Sequence, residues 1–397
     1  MNKVSKRLMV LSESETLAMA RRSRELKAQG KDIISLSIGE PDYDTPQFVK
    51  DAAKVAIDQN FTHYTPVAGY AELRAAVSTK FKRDNGLSYA PEQIVVSTGA
   101  KQSIANAILS LVDPGDEVLL PAPYWVSYIE MIRLAGGIPV VIYSGIEHDF
   151  KITPEQLAPY ITTKTRMMIF SSPCNPTGSV YSYDELKAMA QFFQHYPDIF
   201  IISDEIYEHI RFKGKHTSIA SFPEIYDRTI TVNGLSKSFA MTGWRLGYIG
   251  APKWIADACD KFQGQITSGT CSISQRAAIA ALEADPEVIA SMVQGFHQRR
   301  DLMYNLLKEI KDLQVNLPEG AFYFFPNVST FLGKMGAGQL IQTPQELTMY
   351  LLNEFQLATV GGEAFGCNNS IRLSYAVSEE QIIESVKRLK AGLESLV

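Results

Sequence analysis

Through the middle of the chain, short uninterrupted apolar runs alternate with stretches whose apolar residues recur every three to four positions. Residues 93–99 (QIVVSTG) read as a strand, and 100–112 (AKQSIANAILSLV) as a helix stopped by Asp113-Pro114-Gly115. The run 117–122 (EVLLPA), a helix around 128–137, the run 138–143 (IPVVIY) and a helix opened by Thr153-Pro154-Glu155-Gln156 follow. In that tetrapeptide Thr caps, Pro takes the first helical position and Gln stands three residues after the cap. Residues 166–172 (RMMIFSS) are again a strand, and Ser182 opens a helix with Glu185 at the third position. Two more strands are expected at 198–207 (DIFIISDEIY) and 228–236 (RTITVNGLS).

Strands this apolar, separated by helices, predict an α/β fold with a mostly parallel sheet covered on both faces. In such sheets ligands lie beyond the carboxyl ends of the strands, so the strand-to-helix turns are where chemistry is to be sought. After about residue 290 the pattern changes. A long helical stretch from Asp285 to Ile310, the run AFYFFPNVS, a helix over 344–355, the segment VGGEAFG, the run IRLSYAV and a closing helix from Ser378 suggest a smaller α/β unit. The expected division is a large domain over 46–290 and a small domain made of 1–45 and 291–397.

Composition narrows the classes. Lys plus Arg number 38 against 43 Asp plus Glu, a formal charge of −5 with no basic stripe, which argues against a nucleic-acid partner. Cys174, Cys259, Cys271 and Cys367 have no metal-ligand or disulfide-framework spacing, and the six histidines are dispersed, so no metal is expected. The N-terminal stretch lacks an uninterrupted apolar core, and no segment reaches the roughly 18 apolar residues of a membrane span. A cytoplasmic protein with no membrane partner is the expectation. No GxGxxG follows a strand, which sets a dinucleotide-dependent dehydrogenase aside.

The most informative stretch is Asn233 to Gly247, NGLSKSFAMTGWRLG. Lys237 follows an apolar strand among small residues, where desolvation lowers the ammonium pKa from about 10.4 and supplies the neutral amine that Schiff-base chemistry needs. Arg245 offers a fixed positive fork suited to phosphate. Asp204, at the end of a buried strand, can pair with a protonated pyridine nitrogen and keep that ring an electron sink, which is the chemistry of pyridoxal 5′-phosphate. Strand alternation sends Glu205 to the opposite face, while Tyr207 and Asn175 are candidate donors to the cofactor's phenolate oxygen. The Gly99-Ala100-Lys101 turn, where a strand enters a helix, favours an anion. Either Tyr124 or Trp125 can stack on a flat ring.

Taken together, GEPDYDTP (39–46), YTPVAGYAELR (64–74), PYWVSY (123–128), NPTG (175–178), SDEIYEH (203–209), NGLSKSFAMTGWRLGY (233–248) and RLSYA (372–376) resemble the class I aminotransferases of fold type I, the aspartate aminotransferase family, over essentially the whole chain. The resemblance implies that Lys237 bears the cofactor and moves the proton, that Asp204 holds the pyridinium, and that Asn175 and Tyr207 hold the phenolate oxygen. It implies that Trp125 stacks on the ring, with Tyr124 as its rival. Arg245, Ser236 and the turn Gly99, Ala100 and Lys101 would take the phosphate, joined by Tyr64 from the other subunit of a homodimer. Arg372 would clamp the substrate α-carboxylate beside the backbone of Gly39, with Trp125 and Asn175 also facing the substrate.

The expected reaction is a ping-pong exchange between an L-amino acid and a 2-oxo acid. Relatives that read a distal carboxylate with a partner-subunit arginine have no counterpart in 261–268 (KFQGQITS). The subgroup sharing PYWVSY and GWRLGY places a lysine where Lys101 stands, which implies aspartate and 2-oxoglutarate as substrates. The alternatives are Lys101 as mere positive charge beside the phosphate, an aromatic, kynurenine or prephenate aminotransferase, and a carbon–sulfur β-lyase on the same fold.

Overall fold

The computed structural model describes residues 4–397; Met1–Lys3, where the expected small domain and the N-terminal reading begin, lie outside them. A two-residue strand, β1 (Ile34–Ser35), precedes the seven that make the main sheet: β2 (Ile94–Ser97), β3 (Glu117–Ala122), β4 (Ile138–Tyr143), β5 (Thr165–Ser171), β6 (Phe200–Asp204), β7 (Thr229–Gly234) and β8 (Gly247–Gly250). Their order is β2-β8-β7-β6-β5-β3-β4, with β8 antiparallel to both neighbours and every other pair parallel.

The apolar runs are continuous because both faces are covered. Met167 and Ile169 of β5 pack with Ile104, Ile108 and Ile255 on one side, whereas Met168 and Phe170 pack with Leu186, Met189 and Phe193 on the other. The chain moves outward from β3 to β4 and then returns to lay β5, β6 and β7 on the other side of β3. The strand order therefore reverses between β3 and β5, and a crevice opens beyond their carboxyl ends.

The last third forms β9 (Tyr323–Phe324), a hairpin of β10 (Lys334–Gly336) and β11 (Gln339–Ile341), β12 (Leu357–Ala358), β13 (Val360–Gly361) and β14 (Ile371–Ser374). The helices Ala290–Leu307, Pro344–Phe355 and Glu379–Glu394 pack around them. β1 pairs in parallel with β12, tying the N-terminal segment to this part of the chain. One core runs through both parts, from Val49, Leu73 and Leu246 to Phe322, Leu373 and Leu389. Among the described residues no helix is long and apolar enough to cross a membrane.

Both expected capping boxes form: the Glu185 amide donates to Ser182 Oγ and the Ser182 amide to Glu185 Oε2, while the Thr153 amide donates to Gln156. The helix opened at Thr153 nevertheless lasts only Pro154–Leu157 before a 3₁₀ turn, because Pro159 has no amide to continue the ladder. The stretch 285–310 divides into a 3₁₀ turn, Pro286–Ile289, and the helix Ala290–Leu307. The run 198–207 is strand only to Asp204; Glu205 onward forms a turn in which the Glu208 amide donates to the Glu205 carbonyl. β8 begins at Gly247, the last residue of the stretch read as a cofactor turn. Gly247 permits it, since a Cβ there would collide with the Ala100 backbone at the start of the neighbouring helix.

Candidate active site

A cavity of about 520 Å³ opens at the switch point, walled by the ends of β5, β6 and β7, the N-terminal segment 37–40 and β14. Ala100, Lys101, Trp125, Asn175, Asp204, Tyr207, Ser236, Lys237, Arg245, Gly39 and Arg372, each a residue the sequence singled out, all line it.

Lys237 Nζ donates to the Gly39 carbonyl at 2.7 Å and lies 5.9 Å from the Tyr207 ring centre. Burial brings its pKa down to about 8, with Glu40 pulling it up and Arg245 and Arg372 pushing it down. Near neutral pH this amine gives up its proton far more readily than an exposed lysine.

Asp204 accepts from the Tyr128 hydroxyl at 2.6 Å and from the Ile206 amide at 3.2 Å. Burial raises its carboxyl to about 6, against the two hydrogen bonds that favour the anion. At neutral pH it is mainly ionised, ready to accept from a protonated ring nitrogen. Tyr207 shares a 2.7 Å hydrogen bond with the Tyr323 hydroxyl, and burial holds its phenol well above the usual value.

Arg372 is 2% exposed and lies on β14, between the rings of Tyr323 and Phe365. It donates to Asn175 Oδ1 at 3.0 Å and to the Ser37 carbonyl at 2.6 Å, and its Nε has no partner. Among the described residues no carboxylate lies within ion-pairing distance of it. A buried cation without an anion is costly unless a ligand supplies one.

Arg245 has left-handed backbone geometry (φ 53°), which points its guanidinium at Gly99; it donates to the Thr242 carbonyl at 2.8 Å. Gly99 is itself at φ 84°, and a Cβ on it would strike that guanidinium. The first amides of the helix Ala100–Leu111 have no intrahelical acceptors, so with Arg245 they form a cup suited to a phosphate.

Lys101 Nζ sits 5.0 Å from the Trp125 ring centre, its pKa lowered by burial and then by Arg245. Trp125 faces the cavity, whereas Tyr124 turns away beneath Gly366. Tyr64 is fully exposed and outside this chain's own cavity.

Some site residues escaped the sequence reading. Tyr128 stood inside the quoted PYWVSY block, one helical turn after Trp125. Tyr323 is the lone hydroxyl in AFYFFPN, and its ring leaves no room for a side chain at Gly39. Ser37 gave no local signal, and Glu40 stood inside the quoted GEPDYDTP block; it hydrogen-bonds Thr242 across the cavity mouth.

A desolvated lysine, a buried acid, an anion cup and an unpaired arginine around one ring-sized space fit a phosphorylated pyridine aldehyde. The family model "Aminotransferase class I and II" matches residues 31–389. The bifunctional aspartate aminotransferase and glutamate/aspartate-prephenate aminotransferase of Petunia hybrida is 47% identical over 99% of this chain and 83% of its own. The aspartate aminotransferase structure from Rhizobium meliloti superposes with a TM-score of 0.96 at 39% identity over the whole of both chains. That of Thermus thermophilus with maleate gives 0.92 at 38% identity over 99% and 100%.

Proposed function

Because this chain belongs to the class I and II aminotransferase family, we propose that it moves the amino group of L-aspartate to 2-oxoglutarate, using pyridoxal 5′-phosphate on Lys237. The observation that carries the substrate class is Arg372, a buried guanidinium without an anion, on the same cavity as the desolvated Lys237. A fork of this kind suits a bidentate pair with the α-carboxylate common to amino acids and 2-oxo acids, which lets both half-reactions share one site.

When bound, the cofactor supplies an aldehyde for amine condensation and a protonated ring that draws electrons from the substrate's Cα. Arg245, Ser236 and the Gly99–Lys101 turn hold its phosphate. Asp204 keeps the ring nitrogen protonated, and Tyr128 holds Asp204 in place. Tyr207 and Asn175 donate to the phenolate oxygen, and Trp125 covers the ring. Lys237 would take the proton from the substrate Cα and hold it for return, helped by a pKa near the working pH. Lys101 reads the distal carboxylate, which selects a dicarboxylic substrate. Tyr64, exposed and outside its own cavity, reaches the partner's phosphate site in a homodimer. The parts 46–290 and 1–45 with 291–397 act as two domains around the site. Four cysteines free of disulfides suit a reducing compartment, the cytoplasm.

A second reading, a cyclic or aromatic oxo acid as acceptor, draws on Leu17 and Ile38. Both are apolar, both line the cavity, and as whole residues they are 63% and 42% exposed. The Petunia relative's name includes prephenate.

The test is the absorbance spectrum of the protein with pyridoxal phosphate, followed by aspartate without an acceptor. Conversion of the visible band to the near-ultraviolet amine form, with one equivalent of oxaloacetate, supports the proposal. An unchanged band rejects aspartate and directs the test to aromatic and sulfur amino acids. Pyruvate and ammonia from a sulfur amino acid, released without an acceptor, identify a β-lyase instead.

A further inference from the structure

Behind β6, on the side away from the cavity, lies a buried charged cluster that the transfer chemistry does not use. Lys80, at the end of the helix Ala71–Lys80, pairs with Glu208 and donates to Asn85 Oδ1 at 2.7 Å. Asn85 and Asp84 are brought there by one turn of π-helix, Phe81–Asn85, and Asn85 donates to the other oxygen of Glu208. His209 Nε2 is 3.2 Å from Glu208 and 3.7 Å from Asp84. Glu205 accepts from Ser203 at 2.8 Å and Ser218 at 2.6 Å and contacts His216 Nε2 at 2.8 Å. Lys80, Glu205 and Glu208 are each 5% exposed or less. The Lys80 ammonium lies among the carboxylates, so the cluster contains its own cation and does not call for a metal.

The placement of these groups along the chain links them to the site. Asp204 and Tyr207 point into the cavity; Glu205 and Glu208, each one residue later, point into the cluster. The turn between them is not a regular element. Its backbone bonds include the Ser172 amide to the Asp204 carbonyl, the Glu205 amide to Val232, the Glu208 amide to Glu205 and the Ile210 amide to Tyr207. On the cavity side Tyr128 holds Asp204 and Tyr323 holds Tyr207; on the far side Glu205 and Glu208 tie the same segment to the helix Ala71–Lys80, to Asn85 and to Ser218. Burial alone would raise the Glu208 carboxyl, but Lys80 and the two histidines hold it well below the usual range, so this anchor stays charged.

We propose that Glu205 and Glu208, held by Lys80, Ser218 and His216, are positioning residues for the reaction: the cluster sets the orientation of the turn that carries Tyr207 and of the strand end that carries Asp204, and so aims both at the cofactor ring. The proposal rests on the cofactor reading above.

The test uses the full chain loaded with pyridoxal phosphate. In Glu205→Ala, kcat for aspartate should fall about 10–100-fold while KM changes less than about threefold. The affinity of the cofactor-free protein for pyridoxal phosphate should drop about tenfold. The midpoint of the pH titration of the bound cofactor's visible band should move by about half a unit or more. Glu205→Gln keeps the acceptor for Ser203 and Ser218 and should recover most of each loss. Leu389→Ala, in the distant closing helix, serves as a control that lowers the melting temperature; it should leave the band's midpoint in place.

A Glu205→Ala protein with wild-type kcat, cofactor affinity and midpoint overturns the proposal. So does a matched shift in the Leu389→Ala control, which would reduce the cluster to general stability. Should the alanine variant not fold, Ser218→Ala removes a single bond to Glu205 and must show the same changes in smaller size; their absence also overturns the proposal. Failure of the wild-type protein to develop a visible band would instead reject the cofactor reading on which it rests.

Discussion

Two buried cations on opposite sides of β6 make an instructive pair. Lys80 is surrounded by Glu208, Asp84 and Asn85, so its charge is answered within the chain. Arg372 is just as deeply buried, yet its neighbours are a side-chain amide, a backbone carbonyl and two aromatic rings. Both arrangements satisfy most hydrogen bonds, but only the first balances charge. A fold that leaves one cation unbalanced while balancing another nearby has reserved the first for a ligand. Lys237 belongs with Arg372 in this respect: its nearest polar contact is the neutral carbonyl of Gly39.

The contrast can be broken most severely at Lys237. Lys237→Ala should lower kcat more than about 10⁴-fold, measured without added amine, because the covalent link and the proton carrier go together. Next comes Arg372→Met, for which aspartate kcat/KM should drop about 10²–10³-fold. The melting temperature of its cofactor-free form should hold or rise, since an unbalanced buried charge has been removed. Glu208→Gln should behave in the opposite sense. It strands Lys80 and should cost about 3–5 kcal/mol of stability in denaturant melts. If Arg372→Met were the less stable protein and Glu208→Gln the neutral one, the distinction between reserved and balanced charge would be wrong.

A smaller effect is expected at Lys101. Lys101→Ala should reduce aspartate kcat/KM about 10–100-fold and leave alanine as donor unchanged; equal changes for both donors would make it a phosphate neighbour only.

The smallest signal lies in pH. A lysine whose folded pKa is about 8 binds fewer protons folded than unfolded between that value and 10.5. Its contribution to the stability of the cofactor-free protein is therefore complete above 10.5 and lost as pH falls through 8. Asp204, raised to about 6, has the opposite sign: its contribution is complete below 3.8 and lost as pH rises through 6. Denaturant melts across pH 7–11 should show the alkaline gain in wild type and not in Lys237→Met.

Much of the architecture was legible along the chain. Six of the seven strands of the main sheet announce themselves as apolar runs, as a sheet covered on both faces demands, and only β8 does not. The caps at Thr153 and Ser182 are local chemistry between residues three apart, and they form as read. Asp204 drew attention because it ends a strand and Lys237 because it follows one, where a parallel sheet presents its ligands; Arg245 stood out as a positive fork in the same motif as Lys237. Helix length was less legible, as at Pro159, where one residue decides where the hydrogen-bond ladder ends.

What only the tertiary structure decided is the set of partners that long loops bring together. Arg372 meets Ser37 and Asn175, Tyr128 meets Asp204, Tyr207 meets Tyr323, and Lys80 meets Glu208, all separated by more than seventy residues. Such contacts carry no period, cap or turn signature, because each is made by one side chain at one point of closest approach. The sequence by itself determined which chemistry the chain can carry. Packing determined which charges would be balanced internally and which would be left for a ligand, since charge balance is a property of neighbours in space and not of neighbours along the chain.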